Sequence, residues 1–74
     1  MADGLNIWTI YDHPSDYPEG YIARRWVVID GLEKPTIVTI TGPLEAMRLH
    51  FQSKGLVCLP RDPTDDPKIV ECWI

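Results

Sequence analysis

Thr36-Ile37-Val38-Thr39-Ile40-Thr41-Gly42-Pro43-Leu44-Glu45-Ala46-Met47-Arg48-Leu49-His50-Phe51-Gln52-Ser53-Lys54-Gly55 holds both kinds of regular backbone that this chain uses. Residues 36–40 are β-branched throughout, and stiff side chains of this kind favour a pleated strand over a helix. The pattern then changes. Thr41 or Gly42 supplies an N-cap and Pro43 a first-turn residue, because a missing N–H costs nothing where it would have no partner. Beyond it Leu44, Met47 and Phe51 recur at i, i+3 and i+7, which draws one apolar stripe along a helix. Glu45 near the positive end and Lys54 near the negative end suit the helix dipole. Gly55 is the expected left-handed stop. About twelve residues of helix are marginal alone, so the stripe must pack on a sheet.

Outward from this segment the chain reads as strands and two proline-rich loops. Residues 5–11, Leu-Asn-Ile-Trp-Thr-Ile-Tyr, are dense in β-formers and predict a first strand. Residues 12–20 hold two prolines, a glycine and three acids, and form a loop. Residues 21–30 predict a second strand, interior to the sheet, and Gly31 to Pro35 turn the chain into the third. After the helix, residues 56–59 predict a fourth strand stopped by Pro60. Residues 60–67 form the second proline-and-acid loop, and 68–74 a fifth strand, expected at an exposed edge where it offers a route to self-pairing. The expectation is a single α+β domain over 1–74, an antiparallel sheet of about five strands with one helix on one face, in the order β-β-β-α-β-β.

Composition excludes several functions. The 74 residues carry a net charge of −4, and the isoelectric point is about 4.8. Such a chain repels phosphate backbones and anionic membrane surfaces, so neither nucleic acid nor membrane is an expected partner. No apolar run approaches the ~20 residues that span a bilayer. The first residues lack a basic region followed by an apolar one, so a cytoplasmic location is expected, with Cys58 and Cys72 as reduced thiols on two arms of one hairpin. No Gly-rich phosphate loop, nucleophile elbow or CxxC pair is present, so neither a catalytic residue nor a cofactor is expected.

One feature goes beyond a generic small domain. A single short helix covers one face of a five-stranded sheet, and the other face of an antiparallel sheet should then alternate apolar with polar. Here both registers of the second strand are substantially apolar: Ile22, Trp26 and Val28 in one, Tyr21, Ala23, Val27 and Ile29 in the other. The last strand divides similarly, with Ile69, Glu71 and Trp73 against Val70, Cys72 and Ile74. Either the proline loops fold over the second face, with Tyr17 and Pro18 as a lid, or that face is an interface with another protein or a second copy. Trp8, Tyr21, Trp26 and Trp73 are the interface candidates, since large aromatics with a polar tip suit such surfaces.

The other candidates are polar. Asp12, His13 and Asp16 in the first loop, with Arg24 or Arg25, are the candidates for binding a small molecule or a metal. They match no established ligand spacing, and side chains bonding their own loop backbone explain the acids more simply, so no metal site is assigned. Asp62, Asp65 and Asp66 lack the spacing and closing glutamate of a calcium loop. Arg24 and Arg25 are neighbours in a strand and point to opposite faces; Glu71, Asp12 or Asp66 is the expected partner for one of them.

Residues 7–18, Ile-Trp-Thr-Ile-Tyr-Asp-His-Pro-Ser-Asp-Tyr-Pro, with Ala23-Arg24-Arg25-Trp26 and the tail from Asp65-Asp66-Pro67 to Glu71-Cys72-Trp73, resemble a set of short bacterial proteins that carry no assigned function. The resemblance implies a bacterial cytoplasmic origin and a binding or accessory role, and carries no catalytic residue across.

Overall fold

The computed structural model describes residues 5–15, 17–64 and 66–74. Five strands and one helix follow in the expected order: β1 (Leu5–Asp12), β2 (Tyr21–Ile29), β3 (Leu32–Gly42), α1 (Leu44–Ser53), β4 (Cys58–Pro60) and β5 (Ile69–Trp73). The strands form one antiparallel sheet in the order β3-β2-β1-β5-β4. This is an α+β domain. Among the described residues no helix is long and apolar enough to cross a membrane.

The turn between β2 and β3 is tighter than the sequence reading placed it. Ile29 pairs directly with Leu32, leaving Asp30 (φ 53°) and Gly31 (φ 77°) as a two-residue turn. Left-handed backbone at both central positions matches the right-handed twist of the flanking strands, and Asp-Gly is the sequence that adopts it most readily. Pro35 therefore lies inside β3 instead of ending a turn. It is tolerated because β3 is an edge strand, and it adjoins a bulge in which Thr36, Ile37 and Val38 stand against Arg25 alone. The Thr36 hydroxyl staples that bulge, donating to the Arg25 carbonyl (2.9 Å) and accepting from the Val38 N–H (3.1 Å). Gly31→Ala should cost about 1 kcal/mol, because a Cβ at that φ is strained although nothing crowds it; a urea titration measures the loss.

The helix is as its stripe implies, with Pro43 as the extended N-cap (ψ 144°) instead of a first-turn residue. Its C-terminus closes through Gly55 at φ 78°. The Gly55 N–H donates to the Gln52 carbonyl (3.0 Å) and the Leu56 N–H to the Phe51 carbonyl (3.1 Å), the paired bonds of a Schellman stop.

The core lies between α1 and one face of the sheet. Ile10, Ala23, Met47, Phe51 and Trp73 are buried together, with Trp8, Tyr21, Ile40, Leu44, Leu56 and Val70 around them. Trp8 and Trp73 are cross-strand partners, and the Phe51 ring sits 5.3 Å from one indole and 5.7 Å from the other. The helix thus takes the β2 register of Tyr21 and Ala23, opposite that of Trp26. β5 is not an edge: it lies between β1 and β4, so the exposed edge expected at 68–74 belongs instead to β3 and the three-residue β4. Both edges resist pairing, one through Pro35 and its bulge, the other through shortness and Pro60.

Candidate interaction face

The side of the sheet away from α1 is a shallow groove of about 340 Å³. Strand alternation builds it. Leu5, Ile7, Thr9 and Tyr11 of β1 point there, with Trp26 of β2 beside Ile7. A bulge in β5 adds to it: Ile10 faces Glu71 while Tyr11 faces Ile69, so Val70 is the extra residue. Past the bulge, Ile69 therefore joins Cys72 and Ile74 on the groove side, not Glu71 and Trp73 as plain alternation had it. Leu59 of β4, opposite Cys72, extends the surface.

The groove floor is half-buried and its margin is open. Ile7, Tyr11, Trp26 and Ile69 are partly covered, whereas Leu5 is 55% exposed, Leu59 41% and Ile74 36%. Among the described residues the loops do not close it. Pro14 reaches one corner, against Tyr11, Ile22 and Arg24, but Tyr17 lies beside Tyr21, Gly42 and Pro43 at the helix end of the molecule. A lid made by Tyr17 over the second face is thus not what the chain builds.

Few polar groups enter the groove. Thr9 is buried, its hydroxyl 3.7 Å from the Cys72 sulfur. Burial pushes the Tyr11 phenol up, against the opposing pull of a hydrogen bond to Trp26 and the charge of Arg24, so the ring presents a neutral hydroxyl at pH 7. Glu33 marks one end of the groove and Arg24 lies by the other.

Of the four aromatic interface candidates only Trp26 stands here. Trp8, Tyr21 and Trp73 face the helix, and Trp73 is 3% exposed; being large and apolar, they serve the core as well as any surface, and their spacing does not tell the two apart. The residues that the sequence reading missed are Leu5, Ile7 and Leu59. Their signal was parity: each shares a face with Trp26 once the strand pairing is known.

Among the described residues the loop candidates are not assembled into a site. Asp12 and His13 contact each other, carboxylate to Nδ1. The His13 ring packs edge-on to Tyr21 at 5.5 Å, and its carbonyl accepts from Lys68 Nζ at 3.1 Å. Asp16 lies outside the described residues. Arg24 and Arg25 pair with Thr9 and Trp8, at least about 10 Å along the strand from where Asp12 faces Tyr21. Arg25 stands on the helix side with its Nε buried and without a hydrogen-bond partner. Among the described residues no three His, Cys, Asp or Glu side chains converge as for a metal. In the second loop Asp62 accepts from the Thr64 N–H and hydroxyl (2.9 and 2.8 Å) and Asp66 from the Lys68 N–H (2.9 Å), the loop-backbone bonding expected of them; Asp65 lies outside the described residues.

Glu71 does have an arginine, but from the helix. Arg48 donates through Nε (3.1 Å) and Nη2 (2.7 Å), and the Trp73 indole adds a third bond at 2.7 Å. Of the two cysteines, Cys58 is not activated as a thiolate. Both are free; they sit on adjacent strands but opposite faces, and burial together with the neighbouring Glu71 charge pushes the Cys58 thiol up. Comparison of the chain with protein-family models, curated proteins and solved structures finds no match.

Proposed function

We propose that this chain is a small protein-interaction module that works through the groove side of its sheet. The observation that carries this reading is the apolar surface of Leu5, Leu59 and Ile74 around Ile7, Trp26 and Ile69, on the face that the single helix does not reach. Contiguous apolar surface rimmed by polar groups marks binding faces in small domains. A half-covered tryptophan at its centre is the kind of residue that dominates binding energy. In this reading the module acts in the cytoplasm, with Cys58 and Cys72 as thiols, and its partner is a protein surface, not nucleic acid or lipid.

Site-specific photocrosslinking in cells tests it. Benzoylphenylalanine at Leu5 or Leu59 should give a discrete protein adduct. The same probe at Leu49, which is 66% exposed on the outer side of α1, should give none. No adduct from the groove positions, or the same adduct from Leu49, would overturn the proposal.

A further inference from the structure

We infer that the occupant of the groove is a second copy of this chain, packed face to face about a twofold axis that crosses the Trp26 row; this rests on the groove being an interaction face. A sheet with one naked apolar side lacks a layer, and an identical sheet supplies it as a β-sandwich whose facing side chains fill a layer about 10 Å thick.

The strand register makes the face self-complementary. Three rows run across β1, β2 and β3: Leu5–Val28–Glu33, then Ile7–Trp26–Pro35, then Thr9–Arg24–Thr39. The central row is apolar, and the outer rows carry an acid on one side and a base on the other. Both lie two residues from the centre, about 7 Å along the strands. A twofold axis through the central row, lying between the sheets and across the strands, lays the Glu33 row of one copy over the Arg24 row of the other, and the reverse. Each copy then presents the same patch to its partner, as a closed dimer requires, and Ile7 and Trp26 meet their own counterparts at the axis.

Size and charge agree with this occupant. The five strands, 8, 9, 11, 3 and 5 residues long and spaced ~4.8 Å apart, give a footprint of roughly 500–600 Å², on the scale of the ~800 Å² of accessible surface that each partner gives to a standard interface. Among the described residues lining the groove Glu33 is the one acid, so the net charge of −4 arises elsewhere on the surface. Physiological salt screens such repulsion beyond about 8 Å. The sheet edges are the weaker route to self-association, since Pro35 and its bulge interrupt β3.

Sedimentation equilibrium of the full chain over a wide concentration range is the test. The expected mass is twice 8.5 kDa. Glu33→Arg, at an exposed position of β3, brings like charges together twice in the dimer and should weaken it at least about tenfold. Arg24→Glu should do the same, and the double variant should restore most of the affinity; circular dichroism confirms that each variant is folded. A mass of one chain at every concentration, or a dimer that Glu33→Arg leaves unchanged, would overturn the inference. A single-chain mass together with adducts from Leu59 to a different protein removes self-pairing and keeps the interaction face; no adduct from the groove at all removes both.

Discussion

Phe51→Ala should lower the unfolding free energy by about 3–5 kcal/mol, the usual cost of emptying a fully buried aromatic site. Phe51 is 0% exposed and is held between the Trp8 and Trp73 indoles. Its removal takes away the body that joins α1 to β1 and β5 together, and two tryptophan faces cannot collapse into the gap without moving both strands. The whole domain is expected to hold only about 4–11 kcal/mol, so the variant loses a large part of its stability. At roughly 4–8 °C per kcal/mol for a chain of this size, its melting point should fall by at least about 12 °C. Leu49→Ala is the control: two positions away on the same helix but 66% exposed, it should change stability by no more than about 0.5 kcal/mol. Thermal and urea melts followed by circular dichroism decide it. Equal losses in the two variants would mean that α1 is not seated through Phe51.

That Phe51 belongs to the core was legible from Leu44, Met47 and Phe51 alone, because a helical stripe is a local pattern and names its own buried side. Gly55 was legible for the same reason: a left-handed stop depends on the residues next to it. The Asp30-Gly31 turn was equally local, but Pro35 competed with it as a stop signal. Pro35 lost because an edge strand has one side whose N–H groups need no ladder partner. What lay outside local pattern was strand order. Nothing within residues 68–74 says that β5 lies between β1 and β4; that follows from pairings across more than sixty residues of chain, Trp8 with Trp73 among them. Which face each aromatic takes depends on the same pairings. Both faces being apolar, Trp26 and Trp73 look alike in sequence, although one lines the groove and the other is sealed under the helix. The β5 bulge compounds the difficulty, since one extra residue reverses the parity of everything beyond it.

The second large effect is expected at Glu71, and here pH supplies the diagnosis. Glu71 is 6% exposed. Burial works against its charge, but the two bonds from Arg48, the Trp73 indole and the Cys58 thiol outweigh that and hold its carboxyl below the ordinary glutamate value. The folded state therefore binds this proton less readily than the unfolded chain. The resulting stability is complete above the ordinary glutamate range, near pH 4–5, and is lost as pH falls through the lower folded value. Removing one partner of a buried ion pair costs about 3–5 kcal/mol. The Arg48 side chain is 41% exposed, so water already shares its charge and Arg48→Met should cost less, about 2 kcal/mol at pH 7. In that variant only the Trp73 indole and the Cys58 thiol still offset burial, so the Glu71 carboxyl moves up from its wild-type value and less stability is left for acid to remove. The gap between wild type and Arg48→Met should thus be widest at neutral pH and narrow steadily toward acid, where Glu71 is protonated in both. Adding Glu71→Gln to Arg48→Met should recover part of the loss at pH 7 and remove this group's share of the pH dependence, because an amide keeps the shape without the charge. A gap that stays constant from neutral to acid pH would instead assign the role of Arg48 to packing by its aliphatic stem, and the carboxylate would then be held by the Trp73 indole and the fold around it.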